Sequence, residues 1–132
     1  MENALRSTLI GWLAADASLS GSLNAIIEQG PSPAPAPTLS ISASASSDWS
    51  SKTTRGREVR LAFELLTRAD DLAATAAIAA QIEHRIATLS PDQDGFRVVV
   101  TQFVRSRVER RKRGLAAAIL EYRFRLLAIP TE

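Results

Sequence analysis

The clearest pattern in the chain lies near its C-terminus. From Ala116 the even positions Ala116, Ala118, Leu120, Tyr122, Phe124 and Leu126 are apolar, and the intervening Glu121, Arg123 and Arg125 are charged. A period of two with one wet face predicts a β-strand. The run before it is also strand-like, with Phe96, Val98, Val100, Val104 and Val108 on one expected face and Arg97, Thr101, Arg105 and Arg107 on the other. Between the two runs, Glu109-Arg110-Arg111-Lys112-Arg113-Gly114 is too polar to bury and ends in a turn-forming glycine. Phe96–Leu127 therefore reads as one long β-hairpin.

Upstream, Leu5, Leu9, Trp12 and Leu13 recur at helical spacing and predict an amphipathic helix from Glu2 to about Ala15, with Trp12 on its core side. Ser18–Leu23 breaks this pattern, and Asn24–Gln29 is compatible with a short strand. Four alternating prolines in Gly30–Pro37 favour an extended connector and exclude a central strand or a helix. Leu39 and Ile41 alternate with small polar residues, so Thr38–Ser44 is expected to return as a strand. Ala45–Arg57 is a polar loop around Trp49. Its Lys52, Arg55 and Arg57 form a candidate contact surface with the tryptophan, and the alternative is that Trp49 folds back onto the domain edge. Val59, Leu61, Phe63 and Leu65 on one face, with Glu58, Arg60, Glu64 and Arg68 on the other, then predict a strand. Asp70 is the expected N-cap of a helix reaching about Leu89, whose stripe is Leu72, Ala76, Ala79, Ile82, Ile86 and Leu89. Ser90–Gly95 supplies the turn into the hairpin. These elements sum to an α+β class: an antiparallel sheet with a long C-terminal β-hairpin, packed by two main helices.

Composition narrows this reading. A chain of 132 residues is expected to form one domain, residues 1–132, with a core that needs no staples. Cysteine is absent, which removes disulfides, thiol catalysis and cysteine-ligated zinc. No basic segment followed by an apolar run opens the chain, so no secretory signal is expected, and no window is apolar enough to predict a membrane span. The net charge of +2 is unevenly spread. Residues 97–125 hold eight arginines and one lysine against Glu109 and Glu121, whereas residues 1–96 hold seven basic and eleven acidic side chains, and Glu132 adds one more acid. Such polarity suits nucleic-acid steering or head-to-tail contact between copies.

Little in the chain points to catalysis. The one histidine, His84, lies off the helical stripe with no nucleophile or second ligand at a meaningful spacing. Asp92-Gln93-Asp94-Gly95 lacks the remaining ligands of a calcium loop and reads as a turn. No phosphate loop, nucleophile elbow or zinc helix is present. No cofactor or metal is expected. The basic residues Arg105, Arg107, Arg110, Arg111, Lys112 and Arg113 are a candidate binding patch. They carry no interleaved aromatic for base stacking, so docking on an acidic protein surface is favoured, with a small basic nucleic-acid-binding module as the alternative.

The order helix, proline loop, strand, polar tryptophan loop, strand, helix and long hairpin resembles the phage tail-completion or tail-terminator family, which includes proteins of gene transfer agents. Three stretches carry the likeness: Met1–Arg6 with Leu9, the loop Ser47–Glu58 with its tryptophan, Lys52-Thr53 pair and glycine, and the strand from Gly114-Leu115 through Tyr122–Arg125. The resemblance implies a virion structural protein that forms a homo-hexameric ring. The ring would cap the tail tube, dock on a head-completion or connector protein and leave a lumen through which DNA passes without specific binding. It also implies a place at the head-proximal end of the tail after assembly in the bacterial cytoplasm, with no membrane partner.

Overall fold

A computed structural model describes residues 1–130; Glu132, counted above among the acids, lies outside the described residues. The elements follow in the order α1 (Glu2–Ala14), α2 (Ala17–Ser22), β1 (Ala25–Ile27), β2 (Thr38–Asp48), β3 (Gly56–Arg68), α3 (Leu72–Ala87), β4 (Phe96–Arg110) and β5 (Leu115–Ala128). The five strands make one sheet in the order β1-β2-β3-β5-β4. Every pairing is antiparallel except the short β1–β2 contact, which is parallel and makes the sheet mixed. The α+β class and the long C-terminal hairpin are both present.

One face of the sheet carries the core. Val59, Leu61, Phe63 and Leu65 of β3 and Leu120, Tyr122, Phe124 and Leu126 of β5 are buried in one cluster with Leu5, Leu9 and Leu13 of α1, Leu19 of α2, and Ile82 and Ile86 of α3. Phe63 lies opposite Leu120 in the ladder, at the centre of this layer. The two main helices are clasped through Trp12 and Arg85. The indole Nε1–H donates to the Arg85 carbonyl at 2.7 Å, Arg85 Nε donates to the Trp12 carbonyl at 2.9 Å, and the guanidinium lies 3.4 Å from the indole centroid. Stacking of a cation on an aromatic face adds to the two hydrogen bonds; Trp12 is half-buried at this helix junction and lies outside the core cluster where the helical spacing had put it.

Several local expectations are corrected. The Ser18–Leu23 break contains the short helix α2, capped by Asp16, whose carboxylate accepts from the Leu19 N–H at 3.1 Å. The cap of α3 is Asp71 rather than Asp70: its side chain accepts from Ala74 N–H at 3.0 Å, and the helix closes at Ala87. Leu72 is 42% exposed, and Thr75 takes an inward place by hydrogen bonding to Thr67 at 2.7 Å. The face assigned to β4 changes most. Irregularities between Val98 and Val100 and between Phe103 and Arg105 each insert a residue. A bulge reverses the alternation downstream of it. Thr101, Phe103, Ser106 and Val108 therefore follow Phe96 and Val98 on the helix side, opposite Phe124, Tyr122, Leu120 and Ala118, and Val100 lies on the other side opposite Arg125.

Candidate functional site

The structure places most of the sequence-selected basic residues at two ends of one sheet, with Arg105 and Arg107 between them along β4. Trp49, Lys52 and Arg55 occupy the β2–β3 loop, and Arg57 follows at the start of β3, beside the end of β5, where Gly56 pairs with Leu127. The tip Arg110–Arg113 lies at the other end, next to Arg68 and Leu115. From Arg57 to Arg68 the strand advances roughly 35 Å at its usual rise per residue. The two clusters are separate surfaces and cannot share a small ligand.

The tryptophan loop is fastened by its own hydrogen bonds. Trp49 N–H donates to the Gly56 carbonyl at 3.0 Å, Ser50 Oγ accepts from Gly56 N–H at 2.9 Å, and Ser51 N–H donates to the Thr54 carbonyl at 2.9 Å. Gly56 is required by close approach: a Cβ there would collide with the Trp49 carbonyl and come within 3.0 Å of the Leu126 carbonyl. Trp49 is half-buried, with the Arg125 guanidinium 5.2 Å from its ring, so the ring turns back over the charged face of the sheet at the end of β5. Lys52 and Arg55 are exposed, and Arg57 is half-buried.

The hairpin's positive charge is largely answered within the sheet. Arg105 pairs with Glu121, Arg107 with Glu109, and Arg111 with Glu64 at 2.8 Å and Glu109 at 3.2 Å. The hydrogen bond from Arg105 holds the Glu121 carboxyl below the usual carboxylate range. Further along this face Glu58 accepts from Arg125 at 3.1 Å and has Arg60 and Arg123 at 3.7 and 3.8 Å. The Arg125 hydrogen bond is the largest cause that lowers the Glu58 pKa, with burial opposing it and the surrounding positive charge assisting. Arg110, Lys112 and Arg113 join none of these pairs among the described residues. Arg68, which sequence reading assigned only to the wet face of β3, lies beside them; its role depends on the strand register, which a single sequence does not display.

The edge strand β4 shows a second feature that sequence reading missed. Val99, Phe103, Val104 and Val108 are between 39% and 58% exposed, although alternation had put Val104 and Val108 in the core. Among the described residues no helix covers this half of the strand, and beyond the short bridge of Asp92 with Arg97 its outer backbone edge has no partner. The other edge is open too, because β1 covers only Thr38–Ser40 of β2. Below Phe103, Tyr122 packs against Phe63, Phe103 and Phe124, and burial pushes its phenol far above the ordinary range.

His84 is exposed on α3. Among the described residues no group of three or more His, Cys, Asp or Glu side chains is placed to hold a metal ion. Among the described residues no helix is long and apolar enough to cross a membrane.

Residues 7–127 match the family model described as "Tail completion protein gp17". No curated protein is significantly similar to the chain. Among solved structures, a chain of the virion of a native gene transfer agent particle superposes with a TM-score of 0.78 at 23% identity, covering 96% of each chain. The gp17 protein of bacteriophage SPP1 gives 0.65 at 20% identity, over 98% of this chain and 91% of that one. At such identities the structural likeness speaks to the fold.

Proposed function

The chain belongs to the tail completion protein gp17 family, a structural component of phage and phage-like tails, and from that premise we propose that it works as a tail terminator. In this reading all 132 residues act as one unit. Copies assemble into a homo-hexameric ring that caps the finished tail tube, meets the head-completion or connector protein on its other side, and leaves a lumen for DNA. Tube growth stops because the ring occupies the site the next tube subunit would take. The role is one of interaction rather than catalysis.

The observation that carries the reading is the family match across residues 7–127. The open edges of the sheet support the ring. β2, β3, β5 and β4 alternate in direction, so copies turned about an axis along the strands can meet β4 against β2 with an antiparallel register. Such a heterologous contact uses two different patches and closes only as a ring. It would also cover the exposed aliphatic side chains of β4, a long bare edge that otherwise invites aggregation. The two basic ends, Trp49-Lys52-Arg55-Arg57 and the Arg105–Arg113 hairpin, then offer one docking face each for tube and head. The nucleic-acid alternative is disfavoured because Arg105, Arg107 and Arg111 are engaged by carboxylates. Sedimentation of the purified chain tests the assembly: a hexameric species that breaks down when Phe103 and Val108 are changed to lysine supports the ring. A monomer at all concentrations, also in the presence of tube protein, would refute it.

A further inference from the structure

The turn closing the hairpin holds a residue that its backbone does not favour. Arg113 has φ of 62°, in the left-handed region where glycine and asparagine are preferred, and Gly114 follows at 70°. No side-chain hydrogen bond anchors Arg113 among the described residues. An arginine at such a position weakens the turn without improving the hairpin, and an outlier of this kind points to a role outside the fold. What the position does supply is a direction for the side chain.

Arg113 lines a shallow cleft of about 360 Å³ together with Arg68, Ala69, Asp70, Arg110 and Gly114. Its walls are the β3–α3 turn and the hairpin turn, tied by the Ala69 N–H donating to the Gly114 carbonyl at 2.8 Å. Three arginines thus line one shallow site, and none joins an ion pair with a carboxylate of the described residues, Asp70 included. Their neighbours Arg105, Arg107 and Arg111 do, which separates a neutralised row along the strands from an unneutralised group at the tip. Like charges that share a site repel, and an anion between them relieves the repulsion.

We propose that this cleft is an oxyanion-binding site that receives the carboxylates of an acidic segment on a partner protein. Planar guanidiniums match carboxylates in a two-pronged geometry. A duplex backbone needs cations spaced along several phosphates, and the row that would provide that spacing is the row already paired with Glu121, Glu109 and Glu64. No aromatic side chain lines the cleft for stacking on a base. Only the partner's identity, a head or tail component, rests on the proposed docking role. The anion site itself is a property of the isolated chain, so its failure and the failure of the ring are separately visible.

The test titrates a short oligo-aspartate peptide, and in parallel a short DNA duplex, into the purified chain at physiological salt. Binding of the peptide should be saturable and weaken about tenfold for each of Arg68→Gln, Arg110→Gln and Arg113→Gly, the loss of one charge-assisted pair. Arg105→Gln and Arg107→Gln, with the same change in formal charge, should shift it by about twofold or less. Asp70→Asn should tighten it by removing the cleft's own negative charge. Arg113→Gly relieves the left-handed residue and should unfold no earlier than the wild type, which excludes misfolding as the cause. Equal losses in both sets of variants would reduce the site to diffuse surface charge. Tighter binding of the duplex through the same three arginines would make it a nucleic-acid site, and absence of saturable peptide binding would end the proposal.

Discussion

Replacing Leu120 with alanine probes the centre of the layer that the rest of the molecule is built on. Leu120 is fully buried in β5, opposite Phe63 on one side and Ser106 on the other. The substitution removes three carbon groups, which at about 0.8 kcal/mol each is roughly 2.5 kcal/mol of lost transfer free energy. Two flanking strands and the helices above restrict collapse of the void, and a residual cavity of about 50 Å³ would add about 1 kcal/mol. The expected loss is therefore roughly 3–4 kcal/mol, or a fall of roughly 10 °C or more in Tm for a chain of this size. Val108 serves as the internal control. It sits on the same side of the sheet but is 58% exposed, so Val108→Ala should cost about 0.5 kcal/mol or less in the dissociated chain. Urea unfolding of both variants, with the slope of the transition compared to confirm a common unfolded state, measures the two losses. A cost for Leu120→Ala below about 1 kcal/mol, or an equal cost for the two variants, would refute the assigned register.

Gly56→Ala should destabilise the chain and loosen the Trp49 loop, because a Cβ there meets the Trp49 and Leu126 carbonyls; an unchanged thermal midpoint would contradict that packing. His84→Ala should leave folding and assembly as they are, since the side chain is exposed, and a folded variant unable to complete tails would reopen a catalytic role. The Glu58 carboxyl is held low in the folded chain by its arginines, so its contribution is fully present above the ordinary carboxylate pKa and is lost as pH falls through the lowered folded value. The stability gap between wild type and Glu58→Gln should therefore be constant near neutrality and close in acid below about pH 4; a gap that widens on acidification would contradict the ion pairing.

How much of this was legible in the sequence varies with the physics of each element. β3 and the Leu120–Leu126 half of β5 were readable because apolar and charged residues alternate there over a buried face, whereas the apolar run Leu115–Leu120 hid the burial of Ala117 and Ile119 on the opposite face. The β4 faces were not, because inserting Val99 and Val104 as bulges reverses the alternation while every residue involved remains strand-like. Asp70 and Asp71 are equally good caps by type, and only the backbone decides that Asp71 accepts from Ala74. The charge polarity of the hairpin was visible, but its neutralisation was not, since Glu64 and Glu121 reach the arginines through strand pairing rather than through nearness in the chain. The same register brought Arg68 to the tip. The tryptophan loop left both readings open at the sequence level, and contact with Arg125 draws its ring back over the charged face of the sheet while Lys52 and Arg55 remain outside.

The central claim, that this chain ends the tail as a ring, is tested most directly by electron microscopy of tails assembled with and without it. With the chain present, tails should have one uniform length and carry a six-fold ring at the end that joins the head. Without it, tube protein should polymerise past that length and heads should remain unattached. Tails of normal length that still join heads in its absence, or density for the chain elsewhere on the particle, would contradict the account.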